Sequence, residues 1–176
     1  MGGLPVQAVR EVARDVFVVV HGDGEMGVAN AAFVIEGKRS LVIDTMTFPE
    51  MGRQMAQAVS HRGGHVEVVL ITHYHIDHLG GNAVFADARI VAHPESIRAL
   101  QHLGLPVALY DHIMPQFHGR FSALELLAPT PLSEQLRLPQ GGEIFAFTPA
   151  RIWLPLPREA RPILPPYMNV GATRPG

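Results

Sequence analysis

A chain of 176 residues suits one domain, and its 47% hydrophobic and 17% charged residues provide for a sizeable core. A net charge of −2 gives no electrostatic reason for a nucleic-acid or anionic-membrane partner. The absence of cysteine excludes disulfides, thiolate nucleophiles and Cys-based zinc sites, and it fits a cytoplasmic protein.

The first stretch reads as successive strands. Val6 to Val12 is one candidate, and Val16 to His21 is a stronger one. Its run of valines follows Arg14 and Asp15 directly and is too short for a signal-peptide core, so it reads as a buried strand. No apolar segment is long enough to span a bilayer. Ala31 to Glu36 and Ser40 to Asp44 flank Gly37-Lys38-Arg39, which reads as a hairpin turn. A helix starts at Pro49, with Met51, Met55, Ala58 and Val59 at helical spacing, and Gly63-Gly64 ends it. Val66 to Ile71 is a dense β-branched run, expected as a buried strand. A short helix over Leu79 to Phe85, a strand over Ala88 to Ala92 and a helix over Pro94 to Leu103 follow. This alternation predicts an α/β protein. Gly104 to Leu127 fits neither period, and Leu132 to Leu138 and Glu143 to Phe147 read as strands around Gly141-Gly142. Beyond Pro149 the prolines are too closely spaced for a helix interior or a central strand, so an irregular tail is expected over 151–176.

Between the Val66–Ile71 strand and the next helix lies Thr72-His73-Tyr74-His75-Ile76-Asp77-His78. Three of the chain's ten histidines fall within these six positions, 73 to 78, with an aspartate among them. After a strand the chain is extended, and residues two apart point the same way, so His73 and His75 can present imidazoles to one ion. Asp77 and His78 turn toward a second position. Neutral imidazole and carboxylate are suitable zinc ligands, and Gly80-Gly81 lets the backbone turn closely beneath them. Asp77 alone would serve as a helix cap; four such residues together after a buried strand point to metal binding.

The run Ile71-Thr-His-Tyr-His-Ile-Asp-His-Leu-Gly-Gly-Asn82 resembles the signature of the metallo-β-lactamase superfamily. The likeness extends to Asn30–Ile35, Leu41–Thr45 and Ala88–Pro94, over roughly residues 10 to 150. It implies an αβ/βα sandwich with a metal site at one edge, built here from an incomplete domain over 1–150. By resemblance His73 and His75 belong to a first metal position and Asp77 and His78 to a second, while Asp77 also holds or deprotonates the attacking water. The implied cofactor is zinc, one or two ions, with iron as an alternative. The implied activity is metal-bound hydroxide attacking an ester, thioester or lactone-type small molecule. Hydroxyacyl-thioester hydrolases, lactonases and the iron-using persulfide dioxygenases all remain open. Asp44 has two readings: a residue that orients a ligand from behind, or a turn-forming aspartate. His93 is expected to be structural. His21, His61, His65 and His102 are expected to be solvated or locally hydrogen-bonded, and His112 and His118 are substrate-pocket candidates from their apolar neighbours alone.

The family completes its site from a later Pro-Gly-His-Thr-like turn, a bridging aspartate and a last histidine. This chain has no histidine after His118 and no aspartate after Asp111, and Arg151 follows Phe147-Thr148-Pro149-Ala150 where that histidine turn is expected. The expectation is therefore a chain truncated or frame-shifted after about residue 150. The rival to a hydrolase is a non-catalytic metal-binding domain, for which Gln116, His118 or a second subunit could donate a further ligand, with self-association open to it.

Overall fold

A computed structural model describes residues 6–22, 25–132, 136–137 and 143–144. Seven strands form one sheet in the order β1 (Ala8–Ala13), β2 (Val16–Val20), β3 (Ala31–Glu36), β4 (Arg39–Ile43), β5 (His65–Ile71), β6 (Arg89–Ala92) and β7 (Thr130–Pro131). The first four pair antiparallel as hairpins, and β4 to β7 pair parallel. The switch follows from the connections. The two-residue turns after β1 and β3 can only reverse a strand, and the longer loop from β2 to β3 does the same, whereas helical crossovers return the chain to run parallel. Those crossovers carry α1 (Pro49–Ser60), then α2 (Ile76–Leu79), then α3 (Pro94–Leu103) with α4 (Val107–Ile113). A separate antiparallel pair joins β8 (Leu136–Arg137) to β9 (Glu143–Ile144).

Register is set by one row of apolar residues. Phe17 pairs with Phe33, Phe33 with Val42, Val42 with Val69, and Val69 with Ile90. All five are buried in the main core, and the Phe17 and Phe33 rings stack at 4.8 Å. A slip of one residue would turn this whole row away from the helices. Against it α1 lays Met51, Gly52, Met55, Ala58 and Val59. Pro49 opens α1 with its φ already helical, and Gly63, at φ +78°, closes it in the left-handed conformation. The opposite face of the sheet carries a smaller cluster, Val91 and Leu132 with half-buried Val68 and Leu70.

The strands expected up to Ala92 and the helices α1 and α3 are present within a residue or two, and α3 has the expected bounds. The helix read over Leu79 to Phe85 is corrected: α2 begins earlier, at Ile76, and a 3-10 turn over Asn82–Phe85 follows it. The break falls at Gly80-Gly81, whose backbone is pressed against the carbonyls of Thr47 and Thr45. The unassigned segment from Gly104 holds α4 and two 3-10 turns, Pro115–Phe117 and Phe121–Ala123. Leu132 itself follows β7, and only 136–137 of the strand expected to Leu138 and 143–144 of the one expected to Phe147 are described. The tail over 151–176 lies outside the described residues. No helix among them is long and apolar enough to cross a membrane.

Candidate metal centre

Parallel strands present their carboxyl ends at one edge, and there β4 and β5 each release the chain into a loop. Asp44 follows β4 and donates its backbone N–H to the Leu70 carbonyl at 2.9 Å, so the two strand ends stay in register. Its φ of +61° turns the chain sharply, a conformation that Asp tolerates better than most residues. The loop it starts is buttoned to the histidine loop. Thr45 N–H donates to the His78 carbonyl at 2.8 Å, Thr45 Oγ1 to Asn82 Oδ1 at 2.8 Å, and Gly81 N–H to the Met46 carbonyl at 3.1 Å. Asn82 in turn donates its Nδ2 to the Leu127 carbonyl at 2.9 Å.

Asp44 is buried, at 5% exposure, and its carboxylate organises the loop after β5. It accepts from the Thr72 backbone N–H at 2.8 Å, from Thr72 Oγ1 at 2.8 and 3.0 Å, and meets His78 Nδ1 at 2.7 Å. Asp44 thus stands at a left-handed turn, and its carboxylate holds the His78 ring through Nδ1. With Nδ1 engaged by the carboxylate, His78 directs Nε2 outward, 3.7 Å from an Asp77 carboxylate oxygen. His73 Nδ1 lies 3.1 Å from Thr72 Oγ1. The His73 ring centroid is 4.7 Å from that of His75 and 3.9 Å from that of His78. His75 is the residue preceding α2, and Asp77 and His78 project from that helix's first turns.

Electrostatics separates the imidazoles. Burial, reinforced by His78 and His75, pushes His73 down to about 3. Burial also lowers His75, with the Asp77 carboxylate opposing and His78 adding to the shift. Burial works against His78 too, but the hydrogen bond and charge of Asp44, with Asp77, outweigh it and raise its pKa. At neutral pH His73 and His75 are thus neutral, the form in which imidazole ligates metal.

A pH test follows for the metal-free chain. A group with a depressed folded pKa stabilises fully above its unfolded value and loses that contribution as pH falls. His73 should therefore cost stability as pH drops from 6.5 toward 3, and His75 in the same direction as pH falls below 6.5. His78, with a raised pKa, contributes below 6.5 and loses that contribution as pH rises through its folded value. Denaturant titrations across this range should show a shallower acid loss for His73→Gln than for the parent. Identical acid slopes would refute the assignment.

The donor chemistry fits a zinc-type ion: two neutral imidazoles, a third fixed by a carboxylate, and Asp77. The ligand count does not close, because among the described residues no three His, Cys, Asp or Glu side chains form a group that could hold a metal ion. His118 turns to Asp111, at 3.6 Å, and His112 is exposed. Gln116 donates to the Met26 carbonyl at 2.9 Å. Arg151 and the four residues before it lie outside the described residues. His93 is structural as expected: it precedes α3, and its Nδ1 accepts from Glu95 N–H at 3.1 Å. His61, His65 and His102 are exposed. His21 is not solvated; at 2% exposure it is buried just after β2, where its backbone N–H donates to Asn30 Oδ1. Tyr110 on α4 stands beside the histidine loop, and no motif marks it in the sequence.

The sequence profile of the metallo-β-lactamase superfamily matches residues 24–149. Among solved structures, the DIM-1 metallo-β-lactamase exposed to ceftazidime aligns at 17% identity with a TM-score of 0.54, covering 80% of this chain and 58% of that one. TMB-1 aligns at 17% identity with a TM-score of 0.53, covering 78% and 57%. A metallo-β-lactamase from Erythrobacter litoralis with β-mercaptoethanol in its active site aligns at 26% identity with a TM-score of 0.49, covering 55% and 45%. The chain thus spans between 45% and 58% of these proteins' lengths. No curated protein sequence matches it. The first two alignments agree with the sheet and crossovers described above at the level of fold. With the profile matched across both the strands and the histidine loop, the chain belongs to the metallo-β-lactamase superfamily.

Proposed function

We propose that the chain acts as a zinc-dependent hydrolase of ester, thioester or lactone-type small molecules, with its chemistry at the His73, His75, Asp77 and His78 loop. Superfamily membership supports a metallo-hydrolase. The observation that carries the finer reading is the Asp44–His78 hydrogen bond at 2.7 Å beside two imidazoles held neutral by burial. Carboxylate backing of this kind fixes a ligating histidine's tautomer and ring orientation. A zinc ion bound there would supply a water acidified toward neutrality. His73 and His75 offer neutral donors from the extended chain after β5, and His78 offers Nε2. Asp77 would offer a carboxylate to orient that water and take its proton. Iron is the alternative ion, and a cytoplasmic setting suits the cysteine-free composition.

A second reading, a metal-binding domain without turnover, draws support from the ligand count: no three donors converge among the described residues. Firm holding normally takes three protein ligands and leaves a fourth position open. One experiment separates the readings. Purified chain should bind about one zinc per molecule by elemental analysis, and His73→Ala with His75→Ala should abolish binding. Thioester and lactone turnover lost in the double variant supports the hydrolase. Zinc bound without turnover supports the second reading, and unchanged zinc in the double variant sinks both.

A further inference from the structure

The connection between β2 and β3 leaves and rejoins the sheet at the edge that holds the histidine loop, because Val19 pairs with Ala31, and Ala32 with Ile43, the last residue of β4. His21 backbone N–H closes its base on Asn30 Oδ1 at 2.9 Å. Within it Met26 and Gly27 are held from two sides. On one side Gln116 Nε2 donates to the Met26 carbonyl at 2.9 Å, and Gly27, at φ +81°, lies so close to Met114 Sδ that a Cβ there would overlap it. On the other side the Thr47 hydroxyl donates to the Gly27 carbonyl, a contact buried from water. Thr47 makes a second contact, through its main chain. Its carbonyl oxygen lies where a Cβ at Gly80 would be, and beside it the Met46 carbonyl accepts from Gly81 N–H at 3.1 Å. Gly80 directly follows α2, which bears Asp77 and His78. Met46 is fully buried at φ +64°, a conformation that a non-glycine residue keeps only where its surroundings hold it. One buried threonine thus touches two loops of the same edge, one with its side chain and one with its backbone.

We propose that Thr47 is a positioning residue of the histidine loop: its hydroxyl pins the Met26–Val28 turn, its carbonyl seats Gly80, and the two loops are thereby held in one fixed relation. A buried acceptor left without a donor costs more than the bond itself contributes, so loss of the hydroxyl drives the Gly27 carbonyl and Thr47 apart until water reaches them. That displacement takes the Thr47 carbonyl off Gly80 and lets the end of α2 shift. For its consequence on metal the inference rests on the metal-binding reading above; the coupling of the loops does not.

Two substitutions divide shape from hydroxyl. Thr47→Val keeps the shape and deletes the donor, whereas Thr47→Ser deletes a methyl and keeps the donor. In the metal-free full chain, Thr47→Val should raise amide exchange about tenfold at Val28, whose N–H donates to the Glu25 carbonyl at 3.2 Å, and about threefold at Gly81. Cobalt(II), used as a spectroscopic probe, should bind about fivefold more weakly with an altered visible spectrum. Thr47→Ser should return exchange and cobalt binding to parental values, even though the lost methyl lowers its thermal midpoint. Unchanged exchange at Val28 in Thr47→Val overturns the pinning. Faster exchange at Val28 with parental exchange at Gly81 overturns the coupling. Faster exchange at both with unchanged cobalt affinity and spectrum overturns the positioning role. Thr47→Ser as impaired as Thr47→Val overturns the role of the hydroxyl in favour of packing alone. A parent chain that binds no cobalt strikes the metal reading, and the exchange arm still decides the coupling.

Discussion

Asp44→Ala should lower the unfolding free energy by about 3 kcal/mol and release the histidine loop. The carboxylate is buried and takes hydrogen bonds from the Thr72 N–H, the Thr72 hydroxyl and His78 Nδ1. Bonds to a charged acceptor contribute roughly 1.5–3 kcal/mol each in buried settings. Thr72 is exposed, so its donors recover water, and the sum is discounted to about 2 kcal/mol on that ground. Alanine also loses the tolerance for φ +61° that aspartate has, a further cost of about 1 kcal/mol. Asp44→Asn keeps the left-handed turn and one acceptor oxygen, so it should lose only about half as much, on the order of 1.5 kcal/mol. Urea denaturation of the three chains gives the order directly. The site responds in step: without the carboxylate, His78 keeps only the Asp77 charge to raise its pKa and loses the hydrogen bond that sets its tautomer. Zinc affinity should drop at least tenfold in the alanine variant. Equal midpoints for parent and Asp44→Ala would show that the network is incidental.

The sequence made half of this arrangement readable, and the reason is range. Where a rule is local, the reading was close. Gly37 turns the β3–β4 hairpin at φ +58°, Pro49 and Gly63 bound α1, and Pro94 opens α3. The histidine motif is local as well, six positions with a spacing that few other roles demand. Asp44 shows where local rules stop. Its type allowed a turn or a ligand-orienting role, and only the pairing of β4 with β5 brings Thr72 and His78 to it from 28 and 34 residues away. Tyr110 lay beyond reach for the same reason. It sits in a segment broken by Pro106 and Pro115, where no period develops, and the histidine loop it stands beside is on the far side of β6 and α3. Gly80-Gly81 is legible as a close backbone turn but not as a helix break, because the carbonyls that forbid a side chain there come from the loop after β4.

Those two glycines carry the other large effect expected of this chain. Gly80 has φ −65° and ψ −22°, ordinary helical values, so conformational freedom does not explain it. On propensity alone Gly80→Ala should stabilise by about 1 kcal/mol. Sterics reverse the sign. A Cβ at Gly80 would overlap the carbonyl oxygen of Thr47, and one at Gly81 the carbonyl oxygen of Thr45. Neither oxygen is the end of a flexible side chain. Thr47 is fully buried, with its hydroxyl bonded to the Gly27 carbonyl, and Thr45 is held by His78 and Asn82. Gly52 of α1 lies against the Gly81 carbonyl, so the strand-end loop, the turn and α1 would all have to part. Overpacking of this kind costs about 3 kcal/mol or more at each position. With total stabilities of roughly 5–15 kcal/mol, the double variant should not fold. Gly63→Ala provides the contrast. Its φ of +78° imposes strain of about 1 kcal/mol, but its Cβ would enter open space. Thermal unfolding should therefore rank Gly63→Ala well above Gly80→Ala and Gly81→Ala, with the double variant lacking a cooperative transition. A Gly80→Ala chain as stable as the parent would mean that the loop after β4 does not press on the histidine loop, and the bracing drawn between Thr45, Thr47 and the metal centre would fall with it.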